Sequence, residues 1–267
     1  METAALWRVL GEQVALMYGG GARAVVHLEP SWFAVLSGEA SAEMNVAGLA
    51  PTATPEDADR LVAAIDAAGD RAIIAVSERL GPLVTAPLAA DGFALVGAPD
   101  ALMLRRGLPL PAIASCPFEI RRATGDDVRR AEPVIVAAHG LEPGVVGRAF
   151  NFEALADGRM GCWIAWDGEV AVSLAWLTLE PPLPSVWEMM THPAYRRRGA
   201  GRAILTRAMA EVADAALDGF FLWSTPAGRP LYASLGFEVA EEVPAWARGL
   251  SDEELALLEA APLLPPP

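Results

Sequence analysis

The residues best suited to chemistry form one run, Val186-Trp187-Glu188-Met189-Met190-Thr191-His192-Pro193-Ala194-Tyr195-Arg196-Arg197-Arg198-Gly199-Ala200-Gly201-Arg202. Its pattern reads strand, short loop, helix. The first turn of a helix carries unsatisfied N–H groups and the positive end of the dipole, so it attracts anions. Gly199 and Gly201 let that backbone curl around a phosphate with no Cβ in the way. Arg196, Arg197, Arg198 and Arg202 concentrate positive charge in a chain whose net charge is −14. Guanidinium groups also bind phosphate oxygens in pairs. A merely solvated arginine face would not need two glycines opening a helix, each costing about 0.5–1 kcal/mol against alanine.

Competing motifs fail on context. A dinucleotide fingerprint requires Gly or Ala where Ile204 stands. Gly19-Gly20-Gly21-Ala22-Arg23-Ala24 fits G-x-G-x-x-A, but follows a helical pattern and precedes a strand. Neither G-x-x-x-x-G-K-[ST] nor G-x-S-x-G occurs, and His27, His139 and His192 are too scattered to suggest a metal site. The expected metal content is none. Cys116 and Cys162 are the only cysteines and lie in no motif, which excludes a disulfide scaffold.

The elements around this run follow from periodicity. The chain has 267 residues, 53% hydrophobic, enough for a large core. The acidic balance argues against nucleic-acid or anionic-membrane partners. The N-terminus lacks a signal-peptide layout and proline and aspartate interrupt the most apolar stretch, so a cytoplasmic location is expected. A linker falls at Arg105-Arg106-Gly107-Leu108-Pro109-Leu110-Pro111. Beyond it come a strand at 118–122, helices at 125–139 and 145–155, and strands at 161–166 and 169–179 around Asp167-Gly168. A strand at 184–191, a helix from Gly199, a strand at 220–223, a short helix at 231–235 and a strand from Gly236 follow.

The first part repeats the later half of that order. Strands are expected at 22–28, 32–37 and 42–49, a helix at 55–68, a strand at 71–76, a helix at 83–90 and a strand at 91–96. The fold class is α/β (α+β mixed sheet) with an internal duplication. The expected domains are 1–107, a linker at 108–117, 118–243, and a tail at 244–267. Ser251 and Glu254 open a short helix in that tail, and a proline run ends it.

Arg196-Arg197-Arg198-Gly199-Ala200-Gly201 matches [QR]-x-x-G-x-[GA], five residues after a strand and opening a helix. A second segment, Thr225 to Phe237, carries Leu231-Tyr232-Ala233-Ser234-Leu235-Gly236-Phe237 as "L-Y-x-x-x-G-F". On these residues the stretch from Phe118 to Val243 resembles the GNAT superfamily of acyl-CoA N-acyltransferases. The resemblance implies a GNAT-type fold in tandem and acetyl-CoA as co-substrate. Met189, Met190 and Thr191 would pair with pantetheine where two strands splay. Amides from Arg197 to Arg202 would hold the pyrophosphate, with Arg196 at the head of the motif. Tyr232 would protonate the departing sulfur, since a phenol is protonated at neutral pH.

Two departures from the family stand out. Thr225 replaces an asparagine found in many relatives. Where relatives often carry a base, Trp187 and Ser185 stand instead. Glu188 is the one carboxylate in that strand, and simple alternation points it to the face opposite Thr191 unless a bulge re-aims it. A water chain, Glu153 or Asp157 are alternative bases. In the first half the corresponding turn reads Pro51-Thr52-Ala53-Thr54-Pro55-Glu56-Asp57-Ala58-Asp59, with no arginine and no G-x-G. Its carboxylates would satisfy the helix dipole themselves, which predicts a degenerate half without a CoA site.

The expected function is acetyl-CoA-dependent N-acetyl transfer to a primary amine, directly in a ternary complex, with a small-molecule amine as partner. The alternative is a non-catalytic acyl-CoA-binding or regulatory module. Monomer and homodimer are both open, because paired halves could replace a dimer contact.

Overall fold

Apolar strands from both parts of the chain join one eleven-stranded mixed sheet. The computed structural model describes residues 3–250 except 70, 108 and 214–216, and only the backbone of His139. The expected tail helix and proline run lie outside the described residues. The N-terminal half supplies α1 (Thr3–Tyr18), β1 (Val25–Leu28), β2 (Trp32–Leu36), β3 (Asn45–Leu49), α2 (Pro55–Ala68), β4 (Ile73–Val76), α3 (Pro82–Ala90) and β5 (Ala94–Arg106). The C-terminal half supplies β6 (Glu119–Arg122), α4 (Gly125–His139), α5 (Val145–Ala149), α6 (Phe152–Ala156), β7 (Met160–Asp167), β8 (Val170–Thr178) and β9 (Ser185–Thr191). It ends with α7 (Ala200–Val212), β10 (Gly219–Ser224), α8 (Arg229–Ala233) and β11 (Glu238–Ala247).

Three elements differ from expectation. The helix expected over 145–155 is two short ones, because Phe150 is extended and Asn151 caps α6 by accepting from the Ala154 N–H. The strand expected from Ala42 starts as a 3-10 turn at Ala42–Met44. The strand expected over 91–96 runs as β5 to Arg106, into the residues expected to open the linker. Pro99 is tolerated because it lies where the β5–β11 register is irregular, between the pairs at Asp100 and Val96.

The sheet order is β1-β2-β3-β4-β11-β5-β10-β9-β8-β7-β6. Each half's last strand is thus inserted beside the other half's strands. β5 pairs antiparallel with β10 and β11, while β11 pairs antiparallel with β4 and β5. The expected boundaries therefore mark positions in the chain and not separable bodies, and β11 continues to Ala247, past Val243.

Side-chain alternation then builds the layers. One face carries α1 and α4 over a core shared by both halves, with Leu10, Val14 and Met17 packed in the same cluster as Val128, Trp176 and Phe221. On the other face α2 covers the N-terminal strands and α7 the C-terminal ones, each with its own core. Helix α1 is the strap between halves. Trp7 Nε1 donates to Glu241 in β11, and Ser185 Oγ in β9 donates to Gln13.

A charged clasp closes the junction. Glu39 accepts from Arg23 in its own half and from Arg148 on α5, with contacts of 2.9–3.1 Å. The Arg148 hydrogen bonds, above all, hold the Glu39 carboxyl below its ordinary range. A depressed carboxyl contributes stability that is complete above its unfolded pKa and is lost as pH falls through the folded one. Glu39→Gln is expected to cost about 1 kcal/mol at neutral pH, a drop of about 2–4 °C in Tm, kept small by the half-exposed arginines. The gap between wild type and variant should close as melts are taken from pH 6 down to pH 3. A gap that stayed constant would show that the carboxylate charge does not hold the halves.

Candidate functional site

β9 and β10 are parallel but pair at only two positions, Ser185 with Phe221 and Val186 with Leu222. Beyond them the strands diverge, and β9 from Trp187 onward is bonded to β8 alone. The two-for-one register between Leu174 and Trp176 places a bulge at Glu188-Met189, and Glu188 adopts φ +49°. The left-handed turn explains why simple alternation misplaces the strand's earlier residues. Ser185 and Trp187 fall on the α1 face, where Ser185 Oγ meets Thr178, Gln13 and the Trp187 indole.

The backbone on the open side of β9 is specific. His192 N–H bonds to Val172 O, so along an antiparallel ladder the Met190 backbone faces β8 and those of Met189 and Thr191 face the gap. The Met190 carbonyl accepts from Ser173 Oγ at 2.6 Å, and its side chain is in the core. The Met190 backbone therefore faces β8, away from the open edge where it was expected, while those of Met189 and Thr191 face the gap.

The gap leads to the start of α7. Arg197 (φ +64°) and Gly199 (φ +83°) are both left-handed, which turns successive amides inward. Among the described residues no acceptor meets the N–H groups from Arg197 to Arg202. A Cβ added at Gly201 would lie 3.4 Å from Leu231 and 3.5 Å from Met189, so this position faces the slot between β9 and α8. The arginine side chains are mostly engaged elsewhere. Arg196 donates to the Thr191 carbonyl at 3.2 Å, Arg198 stacks over Phe118 and Tyr195, and Arg202 donates to Ser234. In this loop the backbone amides are thus less engaged than the guanidinium groups. Cys116, from the segment between halves, lies beside Gly199, whose added Cβ would be 3.7 Å from it. Cys162 is buried, and burial pushes its thiol up, away from nucleophilic use.

At the other end of the gap three side chains converge. Tyr232 on α8 is buried, with its ring against Gly228 and edge-on to Phe237 at 6.0 Å. Burial, and then the Glu188 charge, push its phenol well up, so it stays protonated. Its hydroxyl has no hydrogen-bond partner among the described residues. Tyr18, the last residue of α1, donates its hydroxyl to Glu188 Oε1. Sequence reasoning did not find Tyr18, because a tyrosine ending an amphipathic helix carries no local sign of a partner 170 residues away. Asp100 on β5 was also missed. Burial pushes its carboxyl up to about 7, partly offset by the Trp223 indole N–H at 2.9 Å and the Arg229 charge. The alternative carboxylates lie elsewhere. Asp157 is paired with Arg159 at the surface, and Glu153 lines a separate cleft of about 450 Å³ with Arg23, Arg129 and Arg148.

The N-terminal half shows the contrasting geometry. β3 and β4 pair at four successive positions, Val46–Ile73 to Leu49–Val76, and Ser77 N–H extends the ladder to Leu49 O. No splay opens between them. Thr54 and Asp57 form a reciprocal capping box at the start of α2, and Ser31 adds a hydrogen bond to Asp57. That helix start already has its acceptors.

The acetyltransferase (GNAT) domain family model matches residues 158–239. No curated protein sequence matches the chain. Among solved structures, a GCN5-related N-acetyltransferase from Kribbella flavida superposes with a TM-score of 0.60 at 17% identity, over 93% of this chain and 96% of that one. A GNAT-family protein described as a putative acetyltransferase from Novosphingobium aromaticivorans gives 0.57 at 21% identity, over 92% and 96%. A tandem GNAT protein from the clavulanic acid biosynthesis pathway gives 0.54 at 14% identity, over 94% and 96%. Residues 158–239 thus match the GNAT domain model, and the chain as a whole, its N-terminal half included, shares the fold of these structures.

Proposed function

We propose, starting from a GNAT domain whose strands part beside a ring of acceptor-free amides, that this chain acetylates a primary amine from acetyl-CoA. The observation that carries the reading is the coincidence of three features in one half only: the β9–β10 splay, the open amides at 197–202 and the convergent Glu188 and Tyr232. These residues fit a long thioester carrier. The amides suit a pyrophosphate, the slot at Gly201 suits a chain without bulk, and the Met189 and Thr191 backbones offer strand-like pairing. Acetyl-CoA would supply an activated acyl group whose thioester is attacked directly by the amine.

The chain's own residues then move two protons. An amine is mostly ammonium at neutral pH, and the Glu188 carboxylate takes its proton. Tyr232, held protonated by burial, donates to the sulfur as it departs. The closed ladder and capped helix of the N-terminal half support a reading in which that half has no CoA site of its own.

Free-thiol release from acetyl-CoA, with butylamine, benzylamine, spermidine, glycinamide and kanamycin as acceptors, tests the activity. Acetylated amine confirmed by mass supports it, whereas carrier binding without transfer to any of them favours a non-catalytic binding module. Tyr232→Phe is expected to lower kcat about 10- to 100-fold while KM for acetyl-CoA stays within about threefold. An unchanged kcat would remove the acid role from Tyr232.

A further inference from the structure

We propose that Tyr18 is a positioning residue for this reaction, its hydroxyl fixing the Glu188 carboxylate at the bulge so that the N-terminal half completes the active site of the C-terminal half. The inference rests on the reading of Glu188 as the base. Glu188 sits in a left-handed conformation, which is unfavourable for a non-glycine residue and persists only where its surroundings hold it. Tyr18 is placed to do that. Its ring is buried and packs edge-on to Phe150 at 5.6 Å. The preceding residue, Met17, accepts from the Asn151 N–H at 3.0 Å, which ties the end of α1 to the joint between α5 and α6. The hydroxyl is thereby aimed at Glu188 Oε1 from the opposite half of the chain.

The protonation states suit the role. Burial first, then the charge and hydrogen bond of Glu188 and the charge of Glu43, push the Tyr18 phenol well above its ordinary value. It is therefore a donor throughout the working pH range. Glu188 is faced by Tyr18 from α1 and Tyr232 from α8, with Glu43 of the 3-10 turn acting on Tyr18. A neutral donor on a carboxylate favours its charged, proton-accepting form. It also fixes the direction of the Oε1 end of the carboxylate.

The test compares wild type and Tyr18→Phe, which keeps the ring packing and deletes only the hydroxyl. Using acetyl-CoA and whichever panel amine the wild type acetylates fastest, kcat/KM is measured from pH 5.5 to 9. The acid limb should move to higher pH by about one unit, with the high-pH plateau within about threefold of wild type. The acetyl-CoA Kd should not change. In a Glu188→Gln background, Tyr18→Phe should cost nothing further. A uniform fall at every pH with the limb unmoved, or full additivity with Glu188→Gln, would overturn the positioning role while leaving the acetyltransferase reading intact. A wild type that acetylates no panel amine would sink both.

Discussion

Gly201→Trp is expected to weaken acetyl-CoA binding at least about 100-fold, or about 2.7 kcal/mol, with little change in Tm. The reason lies in where that position points. A bare Cβ at Gly201 would make ordinary contact with Leu231 and Met189, so the helix itself tolerates a side chain. An indole would extend into the slot between β9 and α8, where the carrier has to pass. The amides from Arg197 to Arg202 would remain, but the ligand that joins them to the catalytic end would be blocked. Far-UV and near-UV circular dichroism check the fold, and isothermal titration checks the affinity. Undiminished binding in a folded variant would place the carrier somewhere else.

Glu188→Gln should lower kcat at pH 7 about 10²- to 10³-fold. The amide is nearly isosteric and can still accept from Tyr18, so the bulge and the α1 contact should survive. What disappears is a group able to take a proton from an ammonium. Two controls give the result its meaning: acetyl-CoA affinity should be unchanged, and activity should partly recover at high pH, where more of the amine is already neutral. A variant with wild-type kcat at pH 7 would return the base role to a water chain or to another carboxylate.

Much of the scaffold was legible because its signals are local. The Thr124–Asp127 capping box and Gly140 bound α4 at the residues that periodicity indicates. The Asp167-Gly168 turn joins β7 to β8 as expected, and the two glycines opening α7 mark the amide nest. The exchange of β5 and β11 was not legible. Strand pairing between residues some 140 apart depends on which edges are left open, and no window of sequence records that. Pro99 made the same strand harder to read, because proline ordinarily argues against a continuing ladder.

The site divides along the same line. Gly199, Gly201 and Tyr232 are singled out by fixed local spacing. Met190 was assigned to the open edge because which way a strand's backbone groups face depends on register, which the bulge at Glu188 resets. Tyr18 had no local signature at all. Its contact with Glu188 comes from the packing of α1 across a core shared by both halves.

A calorimetric titration of acetyl-CoA into the full chain tests for a carrier site at the β9–β10 splay. The parted strands and acceptor-free amides occur in the C-terminal half, while the N-terminal half has a closed ladder and a self-capped helix. One binding site per chain, lost in Gly201→Trp, is the predicted result. No heat from folded protein, or two equivalent sites per chain, would contradict it.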